Sequence, residues 1–354
     1  MSFSLLVVTL ISLLTALVVT PFIIKLAFKI GATDKPNYRK VHQKIMPRIG
    51  GVAIFIGCTV GFLASGVENE KMPTILIGAL IIVVLGIFDD KFELSAKIKF
   101  VIQLTVASIV TASGLLIEFI NIPTYGVVEF GLWSYPLTIF WIVAVTNAIN
   151  LIDGLDGLAT GISVISISTI AVLAAMSGNT LVLTLSLILI GSCLGFLYFN
   201  FNPAKIFLGD TGALFLGYSI SILSLLGLFK SATLFSIIVP IIILGVPVFD
   251  TTFAIIRRII NKKPIYEPDK GHLHHRLLSL GFSHRNTVLV IYGMSVMFSF
   301  IAIMFSRTTL LGSIILLFSF LILLEIIAEI VGLVNVRYRP FISFYRKVFG
   351  RIKV

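Results

Sequence analysis

The residues able to do chemistry in this chain are mostly carboxylates set in an apolar background. There are eight aspartates, Asp34, Asp89, Asp90, Asp153, Asp156, Asp210, Asp250 and Asp269, and most flank or end long apolar stretches. An ionised group at the end of a membrane span is costly to desolvate, so such groups are seldom incidental. Gathered on one face, they suggest a site for a metal ion and phosphates at the membrane surface. Asp89 and Asp90 are adjacent, in Gly86-Ile87-Phe88-Asp89-Asp90-Lys91. Neighbouring carboxylates repel, and a divalent cation or a shared proton relieves the repulsion. A solvated loop with Lys91 as counter-ion is the plainer account. Lys97 and Lys99 follow and are placed to hold a lipid phosphate.

A second cluster runs from Asn147 to Ala159, with Asn150, Asp153 and Asp156 at steps of three. If this stretch is helical, the three share one face. Gly154 and Gly157 instead allow a turn, or let a ligand approach the backbone closely. Further on, Asn200 opens the segment that ends at Gly209-Asp210-Thr211-Gly212. Asp210 at a helix start is either an N-cap beside free N–H groups or a hard oxygen ligand of the kind Mg2+ requires. Phe207 is either a core residue or a face for a flat base to stack on. Asp250 follows Gly245-Val246-Pro247, which predicts a bent or broken helix. It stands two helical turns before Arg257, so a structural ion pair and a substrate contact both remain open. His272, His274 and His275 crowd into Asp269-Lys270-Gly271-His272-Leu273-His274-His275-Arg276. No cysteine or further histidine has zinc-site spacing. Contacts from the histidines and their cationic neighbours to a diphosphate suit the cluster better. His42 and His284 carry no specific expectation.

The elements that must position these groups are membrane helices. The chain of 354 residues is 58% hydrophobic and 12% charged, and its mean hydropathy is +1.09. A soluble domain of this size needs far more polar surface. About eleven spans are predicted, near 3–24, 50–66, 74–88, 98–117, 134–151, 157–176, 180–200, 211–228, 234–256, 286–305 and 309–331, each close to bilayer length. The runs are continuously apolar rather than alternating, so an all-α polytopic membrane protein is expected, not a barrel. The first stretch lacks a basic n-region and a cleavage site and reads as a permanent span. All but Lys71, Lys230 and Arg307 of the 27 basic residues fall on one side. That bias predicts a cytoplasmic C-terminus, an N-terminus outside, and every aspartate at the cytoplasmic face. Residues 1–331 form one transmembrane catalytic domain in this reading. Residues 332–354 form a basic, aromatic tail along the cytoplasmic interface. The net charge of +11 suits an anionic leaflet and anionic substrates and calls for no nucleic acid. Cys58 and Cys193 lie inside apolar spans and suggest neither a disulfide nor a metal site. No P-loop, dinucleotide-binding glycine fingerprint or serine nucleophile elbow is present, which disfavours an ATP-driven pump, a nicotinamide enzyme and a serine hydrolase.

Taken in order, Asp89-Asp90, Asn150 to Ala159, Gly209-Asp210 and His272 to Arg276 resemble the four motifs of the polyprenyl-phosphate N-acetylhexosamine-1-phosphate transferase family. The resemblance covers nearly the whole chain. The histidine motif reads HxHHR rather than three consecutive histidines. Together with Arg39-Lys40-Val41-His42 and Pro47-Arg48-Ile49-Gly50-Gly51, it is similar to the branch that transfers GlcNAc-1-phosphate. Within that branch the likeness is to the Gram-positive undecaprenyl-phosphate enzymes that begin the wall teichoic acid linkage unit. The resemblance implies UDP-GlcNAc and undecaprenyl phosphate as substrates, and undecaprenyl-diphospho-GlcNAc and UMP as products. It also implies a multi-pass place in the bacterial plasma membrane and a homodimer. Mg2+, or Mn2+ in its place, would be held chiefly by Asp210, with Asp89 contributing. Asp89 or Asp90 would accept a proton from the lipid phosphate or position it. His272, His274, His275, Lys270 and Arg276 would steady phosphate charge, His274 closest to the chemistry. Asn150, Asp153, Asp156, Asn200 and Phe207 would contact nucleotide and sugar, with Phe207 stacking on uracil. Direct attack by the lipid phosphate and a phospho-aspartate intermediate both remain open. Two rival functions are the phospho-MurNAc-pentapeptide transferase of peptidoglycan synthesis and, from another class, a lipid flippase or secondary transporter. A transporter would place ionisable groups near the bilayer midplane.

Overall fold

The computed structural model describes residues 2–34, 45–122, 126–227, 237–262, 264 and 271–333. Lys270, Asp269, the stretch 39–42 and residues 334–354 of the expected tail lie outside these. The described helices are α1 (Ser2–Ile30), α2 (Gly51–Ser65), α3 (Met72–Phe92), α4 (Ala96–Ala112), α5 (Ser134–Ile152), α6 (Leu158–Ser177), α7 (Thr180–Asn200), α8 (Gly209–Gly227), α9 (Ile238–Ile243), α10 (Gly245–Ile260), α11 (Leu273–Ser279), α12 (His284–Phe305) and α13 (Leu310–Val331). Two short antiparallel hairpins join them, β1 (Thr33–Asp34) with β2 (Met46–Pro47) and β3 (Phe119–Ile122) with β4 (Gly126–Glu129).

The chain is therefore a helical, polytopic membrane protein. Among the described residues, eight helices are long and apolar enough to cross a membrane. Ten of the eleven expected stretches each coincide with one helix, but α2 and α4, with 15 and 17 residues, fall short of the roughly 20 that a bilayer asks for. The ninth stretch, expected at 234–256, divides at Leu244 into α9 and α10. The break predicted at Gly245-Val246-Pro247 is thus found at Leu244, directly before it. Pro247 sits in the first turn of α10, where its missing N–H leaves no helical bond unmade.

Helix ends follow local chemistry. The side chains of Ser95, Asn179, Ser283 and Thr309 accept hydrogen bonds from Ile98, Val182, Asn286 and Gly312 N–H at the starts of α4, α7, α12 and α13. Inside the helices, hydroxyls of Thr9, Ser12, Thr20, Thr59 and Thr146 bond the carbonyl four residues back. An apolar span can carry them because each hydroxyl donates internally.

α8 is the axis of the fold. It is almost wholly enclosed and packs on α3 and α5, with α2 and α6 completing its cover. Small residues set these approaches. A side chain at Gly86 of α3 would strike the Thr211 backbone, and one at Gly51 of α2 would strike Gly212. Glycine at those two positions lets α3 and α2 lie against the first turn of α8. The loop before α8 is fixed by strand-like bonds to the end of β2 and the residues that follow it: Phe207 N–H to Pro47 O, Gly50 N–H to Phe207 O and Gly51 N–H to Leu208 O.

Candidate active site at one end of the bundle

The ends of α3 and α5, the starts of α4, α8 and α12, and α11 bring the sequence motifs to one end of the bundle. Asp89 and Asp90 close α3, but they do different work. Asp90 is buried and turned onto the start of α8. Its Oδ1 accepts from Asp210 N–H at 2.9 Å, and its Oδ2 accepts from Thr211 N–H at 3.0 Å and Thr211 Oγ1 at 2.6 Å. Arg48 Nε lies 3.6 Å from Asp90 Oδ1. Free N–H groups at a helix start demand an acceptor and favour negative charge. Asp90 supplies both from a distant helix, so its carboxylate is occupied by the fold. Gly209 makes the junction feasible: its φ is +71°, and a Cβ there would collide with Arg48 O and the Asp90 carboxylate.

Asp89 points toward the cluster. Its Oδ1 accepts from Leu94 N–H at 2.8 Å, and its Oδ2 lies 2.6 Å from Lys99 Nζ. The same ammonium is 3.0 Å from Asp210 Oδ2, and Asn150 Nδ2 donates to Asp210 Oδ1 at 2.9 Å. One cation thus bridges carboxylates from α3 and α8, and an amide from α5 steadies the second. Asp153 stands just past the end of α5. Burial, and then the negative charges of Asp210 and Asp90, hold its carboxyl well above the usual carboxylate range. Asp153 is thereby suited to donate a hydrogen bond.

Of the two alternatives for Asn150, Asp153 and Asp156, helix or turn, the turn permitted by Gly154 and Gly157 is the one found. α5 stops at Ile152, and a turn carries Gly157 at φ +75°. The three therefore do not share a helix face. Asp156 is held by the loop before α8 and by His284. Its Oδ2 accepts from Asn202 Nδ2 at 3.0 Å and Ala204 N–H at 3.1 Å, while its own N–H donates to His284 Nε2 at 3.0 Å. Asn200 is also employed internally, accepting from Thr160 Oγ1 and donating to Ile206 O. Both residues brace the loop before α8. Phe207 is half-buried and is held through its backbone, as described above.

α11 docks the histidine motif onto the α5–α6 turn. Asp250, buried in α10, accepts from Leu273 N–H at 2.7 Å and lies 2.8 Å from His272 Nδ1. It thereby anchors the motif. His274 is buried with its ring against Gly154, where a side chain would collide with the imidazole. Burial, and then the neighbouring His275, lower the His274 pKa to about 3. The ring is therefore neutral, and its Nδ1 has no hydrogen-bond partner among the described residues. His275 is exposed beside it, with ring centroids 4.2 Å apart. Arg276 is half-buried, and its Nε has no hydrogen-bond partner among the described residues.

The donor set fits one hard cation. Among the described residues no three His, Cys, Asp or Glu side chains form a ready cage. Yet Asp89 and Asp210 already share one positive charge, that of Lys99. Mg2+ commonly takes one or two carboxylates and completes its shell with phosphate and water, and this pair meets that requirement. The loop-helix contacts of Arg48, Thr211 and His284 were not assigned from sequence. Their partners lie 42 to more than a hundred residues away, and only Pro47-Arg48-Ile49-Gly50-Gly51 offered a signal.

Fold and site define a polytopic helical membrane protein with a carboxylate–lysine–histidine cluster at one end of the bundle. Residues 72–228 match the family described as Glycosyl transferase family 4. The chain is 58% identical over 343 residues, 96% of each chain, to the "Probable undecaprenyl-phosphate N-acetylglucosaminyl 1-phosphate transferase" of Bacillus subtilis (strain 168). It is 34% identical over 314 residues, 79% of this chain and 78% of the other, to the "Decaprenyl-phosphate N-acetylglucosaminephosphotransferase" of Mycobacterium tuberculosis (strain ATCC 25618 / H37Rv). Over 278 residues, 75% and 74% of the two chains, it is 28% identical to the "Undecaprenyl-phosphate alpha-N-acetylglucosaminyl 1-phosphate transferase" of Salmonella typhi. The chain belongs to glycosyl transferase family 4, the polyprenyl-phosphate sugar-phosphate transferases.

Proposed function

We propose that the protein transfers GlcNAc-1-phosphate from UDP-GlcNAc to undecaprenyl phosphate, releasing UMP and leaving undecaprenyl-diphospho-GlcNAc for a cell-wall polymer such as teichoic acid. The observation that carries this reading is the pair Asp89 and Asp210, from two helices, sharing one cation beside Asn150. Near-complete overlap with the Bacillus relative supports the sugar and the acceptor. The asymmetry of basic residues supports a cytoplasmic-membrane enzyme with this end facing the cytoplasm, where a soluble nucleotide sugar and a lipid phosphate can meet.

In this reading an oxygen of the lipid phosphate attacks the phosphorus that bears the sugar. The P–O–P bond breaks, and UMP leaves with the electron pair. Lys99 meets the incoming phosphate. Both oxygens of Asp89 are already hydrogen-bonded, which favours direct attack over a phospho-Asp89 intermediate. Asp153 donates to the donor diphosphate or sugar, and neutral His274 donates from its buried edge. Asp210 and Asp89 would hold Mg2+, which when bound would neutralise charge on the diphosphate. The test is UMP release by the purified protein in detergent with UDP-GlcNAc, undecaprenyl phosphate and Mg2+, with the lipid product weighed by mass spectrometry. A mass corresponding to undecaprenyl-diphospho-GlcNAc is expected. Absence of UMP would overturn the reading, and a MurNAc-pentapeptide product from mixed donors would move it to the neighbouring branch.

A further inference from the structure

Lys99 reaches the cluster on a long side chain from a helix with little cover. α4 packs on α3 and α5, and its outer side, with Ile98, Phe100 and Val101, is exposed. A lysine stem is flexible, so the place of its ammonium depends on where the backbone beneath it stands. Apolar contacts are non-directional and do not by themselves stop one helix sliding on another. A directional contact exists one turn further from the charged end. Asn147 Nδ2 of α5 donates to Gln103 Oε1 of α4, and also to Val143 O at 2.8 Å. A backbone carbonyl only accepts, so the second bond fixes which end of the Asn147 amide is nitrogen, and Gln103 answers with its oxygen. Among the described residues, Lys99 and Gln103 are the α4 side chains with hydrogen bonds to other helices. Lys99 stands four residues before Gln103, and Asn150 three residues after Asn147. Residues at these spacings share a helix face. The amide pair therefore lies directly behind the two groups that meet Asp210, Lys99 Nζ at Oδ2 and Asn150 Nδ2 at Oδ1.

We propose that Gln103 and Asn147 are positioning residues for the reaction, fixing α4 against α5 so that Lys99 stays where the acceptor phosphate arrives. This rests on the proposed function and assigns two further residues to it. The need for a second hold on α4 comes from charge. Lys99 is drawn to Asp89 at 2.6 Å and to Asp210 at 3.0 Å. An arriving phosphate competes with both carboxylates for the ammonium, and the charged link between α4 and α8 weakens as it does so. The amide pair carries no net charge and keeps its partners through that exchange. Gln103 is buried, so leaving Asn147 would strand its oxygen away from water. The neutral bond thus holds the register of α4 at the moment when the ionic bonds are being shared. Gln103 and Asn147 act through Lys99 and Asn150, one turn away from the cluster.

The experiment uses the full-length protein in detergent and three variants: Gln103→Met, Asn147→Leu and the two combined. Each substitution nearly conserves volume. Either one alone strands half of the pair, whereas the double variant replaces both partners with apolar groups, a change that costs little stability. A bond that serves stability alone predicts that the double variant regains melting temperature and rate together. The positioning role predicts a split. The double variant is expected to melt within a few degrees of wild type while UMP release stays down about tenfold or more, the loss falling on kcat with the UDP-GlcNAc KM unchanged. Recovery of the rate along with the melting temperature overturns the proposal. A second measurement covers a double variant that does not fold. Lysines are dimethylated with carbon-13 formaldehyde and a reductant, which keeps their charge, and the Lys99 signal is identified as the one missing from Lys99→Arg. In wild type this signal should stand apart from those of exposed lysines, and in Gln103→Met it should move toward them. A Lys99 signal that is the same in both proteins overturns the proposal. A wild type that releases no UMP, with a Lys99 signal that does move, defeats the proposed reaction and leaves the hold on α4 standing.

Discussion

Asp89 and Asp90 are chemically identical neighbours whose surroundings give them separate duties. Asp90 satisfies three donors at the start of α8, whereas Asp89 shares a cation with Asp210. Their substitutions must therefore fail differently. Asp90→Ala strips three hydrogen bonds from a buried helix start, and unmet buried donors cost about 1–3 kcal/mol each. A drop in stability on the order of 3 kcal/mol is expected, with activity lost as a consequence. Asp89→Asn keeps an acceptor for Leu94 N–H and removes a charge. Its melting temperature in detergent should stay within a few degrees of wild type, while UMP release falls about 100-fold or more, the scale typical of losing one preorganised electrostatic group. Melting curves and rates on the two purified variants decide the matter. Equal loss of stability in both would return the pair to a single role. The adjacency was visible in the sequence, but this division of labour was not. It depends on where residues 210 and 211 arrive in space, and no local pattern encodes that.

At the level of elements, what was legible was whatever short-range physics controls. Continuous apolar runs gave the helices, and Gly245 with Pro247 gave the break between α9 and α10. The end of α5 stayed open between helix and turn, because Asn150, Asp153 and Asp156 fit a helical period while Gly154 and Gly157 permit a turn, and the helix stops at Ile152. Gly154 there serves α11, since only a bare Cα leaves room for His274. This contact makes the docking of α11 sensitive to acid. His274 is lowered to about 3, first by burial and then by His275, against about 6.5 for an unperturbed histidine. Between those two values the unfolded chain binds a proton that the folded chain does not. The contribution is therefore intact above pH 6.5 and is lost progressively as pH falls toward 3. From pH 6.5 to pH 5 the loss is up to about 2 kcal/mol. Thermal midpoints in detergent at pH 7.5, 6.5 and 5 should decline for wild type, and the decline should be shallower in His274→Asn. Parallel slopes for the two proteins would mean that His274 is not the group that titrates.

For the whole molecule, the decisive property is sidedness. The helix ends that carry Asp89, Asp153 and Asp210 are joined in space, yet a bundle alone has no inside or outside. The charge asymmetry of the sequence predicts the direction: Lys71, Lys230 and Arg307 are the exceptions to a basic bias that assigns the other loops to the cytoplasm. Two exposed positions at opposite ends make this measurable. Lys97 lies at the start of α4 beside the cluster, and Leu132, 87% exposed, lies just before α5 at the far end. Cys58 and Cys193 are half-buried and buried, so replacing both with alanine gives a background free of thiols. In intact cells a membrane-impermeant maleimide should label Leu132→Cys and leave Lys97→Cys untouched until the membrane is opened. The reverse pattern would put the carboxylate cluster on the external surface, where no cytoplasmic nucleotide sugar reaches it. The proposed reaction would then lose its donor, whatever the internal geometry of the site.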